Sequence, residues 1–304
     1  MKAAGFNRIS IGVQQLDDEL IKLSGRKQKA AHVFQTLDWC RQLGLSSSVD
    51  LIFGWPRQGV GHMLTDLKAI VDTGVPHITH YELNVAGRTD FARRRNELPS
   101  TEANLEMYRI GRDFLLDRGY RQVTAYDWAK KGDAGNGYLY EETWHAPLAS
   151  PADGIASGID LWGWGFAGVS FFLGTPQEPG AVYMNSPRID DYFARLDKGE
   201  FPVERGFHHA AKDLRLTVLF QMLQAMTVDL REYRRLFDVD LLEEYAEIWQ
   251  ALIETGWVDI TAERLTLVGD GVFYTPLIQG LLSHERMEEL RRSRTRGPET
   301  ETPA

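Results

Sequence analysis

The 304-residue chain contains a single cysteine, Cys40, and this scarcity excludes several kinds of site. One cysteine cannot form an intramolecular disulfide, and it cannot supply the thiolates of an iron–sulfur cluster or an all-cysteine zinc site. No run approaches the ~18 apolar residues of a membrane-spanning helix, and no signal peptide is recognisable at the start. We therefore expect a cytoplasmic protein without a membrane span.

Basic charge is also scarce, since 34 Lys and Arg residues face 43 Asp and Glu residues, for a net charge of −9. Proteins that bind nucleic acids carry an excess of basic residues, so a nucleic-acid partner is not expected. Hydrophobic residues make up 43% of the chain and charged residues 25%, which is typical of a globular protein.

Strand and helix patterns alternate along residues 8–130. Short β-branched runs predict four strands, and amphipathic segments between them predict helices. Such alternation indicates parallel strands joined by right-handed crossovers. The predicted strands lie at residues 8–13, 47–56, 77–85 and 121–129, and the helices at 17–23, 30–45, 61–72 and 101–118.

The rest of the chain has a different character. Residues 136–192 are rich in glycine and aromatics, which would form either a ligand wall or a loop-rich cap that fills its own core. Helices at 212–226, 230–236 and 241–254, a hairpin at 257–268 and a helix past Pro276 suggest a winged-helix-like module. The predicted domains are residues 1–205, with the cap at about 136–205, then 206–290 and a disordered tail at 291–304.

Polar residues cluster where the predicted parallel strands end, the usual place for functional groups in such sheets. Gln14 ends the first strand and Asp50 lies within the second. A glutamine and a buried aspartate can hydrogen-bond ribose hydroxyls, and Arg26 can pair with a carboxylate. This combination suits a small nucleoside that carries an amino acid.

Four blocks then resemble a known family: "GFNRISIGVQ", "GR" at residues 25–26, "DLIFGWPRQ" at 50–58 and "HITHYEL" at 77–83. They resemble the radical S-adenosylmethionine family of oxygen-independent coproporphyrinogen III oxidases, with its haem chaperone and anaerobic haem-degrading relatives. "GWGFAGVSFF" and "YMNSPRIDDYF" continue the resemblance more loosely. It implies an α/β fold, the C-terminal half of a (β/α)6 partial TIM-type barrel of parallel strands, followed by the small, mostly helical domain.

The resemblance also implies roles for single residues in binding S-adenosylmethionine. Gln14 would contact its ribose or methionine part, Arg26 would bind its methionine carboxylate, and Asp50 would line the same site. Asn84 falls near a backbone contact to the adenine. Catalytic residues stay unassigned. Two departures, Trp55 and Arg57 in "WPRQ" where the family usually has "LPGQ", would either reshape the substrate side or fill a different core.

The family's chemistry needs a [4Fe–4S] cluster on a CxxxCxxC loop, which this chain lacks, so no metal ligand is predicted in it. In the family that loop follows the first barrel strand, whereas the strand at residues 8–13 resembles a middle one. We therefore expect an N-terminally truncated chain that is inactive alone, with the cluster and a reductant protein belonging to the complete enzyme. A natural half completed by another chain, or a degenerate cluster-free binding protein, would also account for the absence.

The expected function is that of a radical S-adenosylmethionine oxidoreductase acting on a porphyrin- or haem-type tetrapyrrole through a 5′-deoxyadenosyl radical. The alternative within the family is a haem chaperone or a cluster-free tetrapyrrole-binding protein. The candidate haem ligands are histidines, each more readily explained as structural or solvated: His77, His80, His145, His208 and His209. A third hypothesis is an ordinary barrel enzyme that uses Glu82 and Asp127 for acid–base chemistry.

Overall fold

A computed structural model describes residues 2–85, 90–131, 160–175 and 177–295. The chain divides into two compact units, Met1–Gly137 and Tyr138–Ala304. The domain boundary predicted at residues 205/206 falls inside the second unit and stays a prediction.

The first unit alternates strands and helices as the sequence patterns predict. Two short 3₁₀ segments, Lys2–Ala4 and Asp90–Glu97, accompany the main elements. These are β1 (Arg8–Gln14), α1 (Asp18–Lys22), α2 (Ala30–Gln42), β2 (Ser46–Phe53), α3 (Val60–Val71), β3 (His77–Glu82), α4 (Thr101–Asp117), β4 (Tyr120–Gln122) and β5 (Asp127–Lys130).

The five strands form one sheet in the order β1-β2-β3-β5-β4. β1, β2 and β3 are parallel, with Gly12 opposite Asp50 and Asp50 opposite Thr79. The parallel pairing expected of the first three strands is therefore confirmed.

The prediction of a fourth parallel strand at residues 121–129 is wrong. That segment forms two short strands, and β5 runs antiparallel to both β3 and β4. A local turn causes the reversal: the Thr124 hydroxyl donates to Asp127 (2.7 Å) and accepts from the Asp127 backbone N–H (3.0 Å). Such side-chain turns compete with extended structure. Parallel pairing is thus observed for three strands of this sheet, and the partial barrel stays a prediction.

The two faces of this sheet differ in chemistry. One face packs against the helices through buried apolar residues such as Val49, Leu51 and Ile78. The opposite face, called the polar face here, carries Ser10, Ser48, Asp50, Thr79 and Asp127. Residues opposite each other in register share a face, and the serine and threonine hydroxyls hydrogen-bond along it. The polar face is therefore where the sheet can bind a polar ligand.

The second unit contains two antiparallel sheets, ordered β6-β7-β8 and β10-β11-β9. The helices and the hairpin predicted after residue 205 are observed at nearly the predicted positions; the winged-helix-like arrangement stays a prediction. The elements are β6 (Val169–Gly174), β7 (Pro179–Asn185), α5 (Ile189–Leu196), β8 (Val203–His208), α6 (Ala211–Gln224), β9 (Thr227–Asp229), α7 (Leu230–Phe237), α8 (Leu241–Glu244), α9 (Ala246–Glu254), β10 (Val258–Ile260), β11 (Arg264–Leu267) and α10 (Thr275–Thr295).

Two further sequence predictions concern the C-terminal tail and the aromatic region. α10 continues through residue 295, and an Arg291–Glu288 ion pair one turn apart supports the helix there; the disordered tail stays a prediction. The aromatic region is covered only in part, since Tyr138, Tyr140, Trp144 and His145 lie outside the described residues. No helix in the described segments is long and apolar enough to span a bilayer.

Candidate functional site

The carboxyl end of β1 places Gln14 over a gap left by a glycine. Gln14 has φ 66°, in the left-handed region that residues other than glycine rarely occupy. A Cβ atom at Gly12 would lie 3.0 Å from Gln14 Nε2, so the amide folds back over Gly12. The Gln14 Oε1 atom is buried and has no hydrogen-bond partner among the described residues. A buried acceptor of this kind normally has a partner, which marks the site as able to receive a donor.

Arg26 is tied to the same strand. Its side chain is exposed, and Arg26 Nη1 donates to the Gly12 carbonyl oxygen at 2.8 Å. Gln28 Nε2 likewise donates to the Val13 carbonyl oxygen at 2.8 Å. These two bonds hold the segment after α1 against the end of β1. The sequence analysis did not single out Gln28, since only the fold brings it to the strand.

Asp50 lies beside this strand end on the polar face. Ser10 Oγ donates to Asp50 Oδ1 at 3.1 Å. Burial raises the pKa of the Asp50 carboxyl, and the Ser10 hydrogen bond opposes part of that rise. A half-buried carboxyl with one hydroxyl donor can accept further hydrogen bonds from a ligand.

Tyr81 is a site residue that the sequence analysis missed. Burial raises the pKa of its hydroxyl, the nearby Asp50 charge adds to the rise, and Arg26 opposes it. Tyr81 is thus within electrostatic reach of both predicted site residues. Its position two residues after Thr79, on the same face of β3, is the pattern that could have identified it.

The structure brings Gln14, Arg26 and Asp50 together around Gly12. It does not join Asn84 to that group: Asn84 is exposed, two residues beyond the end of β3. The suggested adenine contact at Asn84 therefore stays a prediction.

Beneath the site, two buried glutamines join the ends of β1 and β2. Gln15 donates to the Ile52 carbonyl oxygen, and Gln58 Nε2 donates to Gln15 Oε1 at 3.1 Å. The Trp55 backbone N–H donates in turn to Gln58 Oε1 at 3.1 Å. This network fixes the loop after β2 to the residue that follows Gln14.

Trp55 fills an apolar cluster above the end of β2. It is 2% exposed, and it packs with Leu20 and Ile21 of α1 and, edge to face at 4.9 Å between ring centroids, with Phe91. Of the two interpretations of this departure from the family sequence, the structure favours core filling.

Arg57 occupies a backbone conformation that favours glycine, with φ 66°. Its backbone N–H donates to the Glu97 carbonyl oxygen at 2.9 Å, and its guanidinium forms an ion pair with the Glu97 carboxylate. The family glycine at this position is thus replaced by an arginine that is held at both its backbone and its side chain.

The described residues fit S-adenosylmethionine but not its iron–sulfur partner. The unpartnered Gln14 oxygen, the Gly12 gap and the Arg26 and Asp50 charges suit a ribose and an amino-acid carboxylate. Cys40, in contrast, is buried on α2, and burial raises the pKa of its thiol. Nowhere in the described segments do three or more His, Cys, Asp or Glu side chains form a group that could hold a metal ion. A [4Fe–4S] cluster therefore does not fit this chain.

The acid–base alternative is not supported by the geometry. Glu82 accepts from Asn104 Nδ2 of α4 at 2.6 Å, on the helix side of the sheet. Asp127 accepts from Thr79 and Thr124 on the polar face. The two carboxylates thus face opposite sides of the sheet and cannot act on one substrate.

The histidines differ in accessibility. His80 is buried against the Phe53 ring, and burial lowers its pKa to about 3, so it is neutral. His77 and His209 are also buried, and burial lowers the pKa of His209. His208 is exposed, with its Nε2 3.1 Å from the Tyr183 hydroxyl. Among the candidate haem ligands in the described segments, His208 is the accessible one.

Comparisons with known proteins identify similar proteins. The model of the radical SAM superfamily matches residues 1–70, which include Gln14, Arg26 and Asp50. The heme chaperone HemW of Haemophilus influenzae is 33% identical over 131 residues, covering 43% of this chain and 34% of that protein. The oxygen-independent coproporphyrinogen III oxidase of Pseudomonas aeruginosa is 25% identical over 282 residues, covering 89% and 59%.

A solved structure shares the fold. The coproporphyrinogen III oxidase HemN from Escherichia coli, described as a radical SAM enzyme, superimposes with a TM-score of 0.70 at 21% identity, over 92% of this chain and 65% of that one. By the match of residues 1–70 and by its fold, the chain is similar to proteins of the radical SAM superfamily. Among such proteins it is similar to the HemN-like ones, since the relatives matched here are named as coproporphyrinogen oxidases and HemW heme chaperones. The chain spans about a third of the HemW relative and 59% of the oxidase.

Proposed function

We propose that this chain binds S-adenosylmethionine at the carboxyl end of β1 and belongs to a protein that acts on a porphyrin- or haem-type tetrapyrrole. The observation that carries the binding proposal is the buried, unpartnered Gln14 oxygen beside Gly12, with Arg26 and Asp50 on either side. The tetrapyrrole follows from the relatives, which are named as coproporphyrinogen oxidases and heme chaperones.

Each side chain has a distinct binding task. The Arg26 guanidinium, anchored by one nitrogen to the Gly12 carbonyl, pairs with the amino-acid carboxylate through its other N–H groups. Asp50 and Gln14 Oε1 accept hydrogen bonds from the ribose hydroxyls, and a backbone contact near Asn84 is the proposed partner of the adenine. S-adenosylmethionine, once bound, is the source of the family's radical chemistry.

This chain alone provides the S-adenosylmethionine site but no cluster ligands. We therefore propose no catalytic step for it in isolation: the cluster and a reductant protein would come from outside it. An oxidoreductase activity is a proposal for the complete assembly only.

Isothermal titration calorimetry with S-adenosylmethionine, and with S-adenosylhomocysteine as a second probe, tests the site. Arg26→Ala and Asp50→Asn are expected to weaken binding by about 10-fold or more, because each removes a charge-assisted hydrogen bond. Arg41→Ala and Asp38→Asn, which alter an exposed pair on α2, are the matched controls and leave binding unchanged. Wild-type affinity in Arg26→Ala would refute the assignment.

A second candidate function, tetrapyrrole binding in the manner of a chaperone, is favoured by a row of rings on the β6-β7-β8 sheet. Centroid distances are 4.9 Å between Trp162 and Phe172, 6.1 Å between Phe172 and Tyr183, and 5.6 Å between Tyr183 and His208. Trp162 is 66% exposed, so the row can receive a flat apolar ligand.

Haem titration monitored at the Soret band tests this candidate. His208→Ala is expected to change the position of the band, whereas His284→Ala, an exposed histidine on α10, leaves it as in the wild type. Identical spectra for the wild type and His208→Ala would exclude His208 as a ligand. A negative result in the haem titration would not contradict S-adenosylmethionine binding, since the S-adenosylmethionine site lies in the first unit.

A further inference from the structure

A cavity of about 580 Å³ lies between the start of α2 and the start of α3. Its apolar lining includes Leu16, Ala30, Phe34 and Ala69. None of the proposed S-adenosylmethionine ligands lines it. The volume falls in the range of small-molecule pockets, which combine apolar walls with a few placed polar groups.

Two carboxylates, Asp17 and Asp66, line this cavity, and Asp66 is only 5% exposed. Its Oδ2 accepts from the Leu16 backbone N–H at 2.9 Å. In the described segments no Lys, Arg or His nitrogen forms an ion pair with it. A buried carboxylate without a cation is costly, because its lost hydration is not replaced.

Two other titratable groups act on Asp66: Asp17 raises its pKa and His62 lowers it. Asp17 is negative, and its Oδ1 caps α1 by accepting from the Glu19 and Leu20 backbone N–H groups. His62 Nδ1 accepts from the Gly59 backbone N–H at 3.3 Å, and His62 forms no ion pair with Asp66 within the described segments. Burial raises the pKa of Asp66 to about 6, which leaves it mostly ionised at neutral pH.

We propose that this cavity binds a small organic cation, a primary ammonium on an apolar body, with Asp66 as its counter-ion. The ammonium supplies the charge that the buried carboxylate lacks, and the apolar walls cover the rest of the molecule. A metal ion is a poor occupant, because one carboxylate is far from the six or more oxygens of a calcium site.

The test uses the full chain with benzylamine as the probe and benzyl alcohol as its neutral match. By calorimetry at pH 7.5, benzylamine is expected to bind saturably and about 10-fold more tightly than the alcohol. Asp66→Asn removes that preference, whereas Asp72→Asn, an exposed carboxylate just after α3, keeps it. Below pH 6 the affinity of the wild type for benzylamine falls about tenfold per unit, because the carboxyl takes up a proton.

Ala69→Leu gives an independent variant, since it narrows the cavity and retains the carboxyl. It is expected to weaken benzylamine binding while its circular dichroism matches that of the wild type. No saturable binding of benzylamine, equal binding of amine and alcohol, or unchanged binding in both Asp66→Asn and Ala69→Leu would overturn the proposal.

Discussion

Replacing Arg57 by glycine and by alanine separates the backbone strain of the loop after β2 from the ion pair that Arg57 makes. The residue sits at φ 66°, and its guanidinium contacts the Glu97 carboxylate. Alanine removes the ion pair and keeps the strain. Glycine removes both, at the expense of a more flexible unfolded chain.

The magnitudes follow from these contributions. A left-handed backbone conformation at a residue other than glycine lowers the free energy of unfolding by about 1–2 kcal/mol. The ion pair contributes no more than about 1 kcal/mol, because the Arg57 side chain is 65% exposed. A glycine at this position lowers the free energy of unfolding by roughly 0.5–1 kcal/mol, because it increases the conformational entropy of the unfolded chain. Arg57→Ala is therefore expected to destabilise the protein by up to about 1 kcal/mol, and Arg57→Gly is expected to be close to the wild type.

Urea unfolding followed by fluorescence of the eight tryptophans measures both variants. Glu97→Gln serves as the control, since it weakens the ion pair without touching the strained residue. If Arg57→Gly proves less stable than Arg57→Ala, the left-handed strain is not released by glycine and the reasoning is refuted.

Four further predictions concern single residues. Gly180→Ala should lower the free energy of unfolding by about 3 kcal/mol or more, since its Cβ would collide with the Phe172 carbonyl oxygen. Gly280→Ala, whose Cβ would have no atom within 4 Å, should raise the free energy of unfolding by about 1 kcal/mol. Urea unfolding measures both variants. Cys40 should react slowly with Ellman's reagent until urea unfolds the chain, because burial keeps the thiol covered and protonated; rapid reaction of the native protein would contradict this. Asp66→Asn should be more stable than the wild type at pH 8, and this advantage should be smaller at pH 5. The Asp66 carboxyl has a pKa of about 6 in the native chain against 3.8 in the unfolded one, so it holds its proton more tightly when folded. Its full ionisation therefore lowers the free energy of unfolding by roughly 3 kcal/mol. A stability gap that stays the same in urea titrations at both pH values would contradict the Asp66 assignment.

Local sequence patterns predicted most elements of the first unit. The runs that became β1, β2 and β3 are β-branched and bounded by turn residues, and the helices between them have apolar faces, so periodicity identified both. The reversal at β5 was not predictable in this way. It depends on hydrogen bonds between Thr124 and Asp127 that close a turn inside an otherwise strand-like run.

The site was predictable where position in the chain determined it. Gln14 follows from a strand end, Asp50 from a polar residue within a strand, and Arg26 from the family motif. Tyr81 and Gln28 were missed because their roles depend on the register of the sheet and on the path of the segment after α1. The Gln15–Gln58 bond was missed for the same reason, since 43 residues separate its partners.

The reversed strand β5 gives the sheet two unlike edges. At one edge β4 has three residues, and at the other β1 has seven and pairs in parallel with β2. A three-residue edge offers few free backbone groups, so a further parallel strand would add beside β1. β1 also carries Gln14 and the Gly12 carbonyl that anchors Arg26. Strand addition and S-adenosylmethionine binding would then be thermodynamically linked. A peptide that pairs with β1 would change the affinity for S-adenosylmethionine, and bound S-adenosylmethionine would change the affinity for the peptide by the same factor.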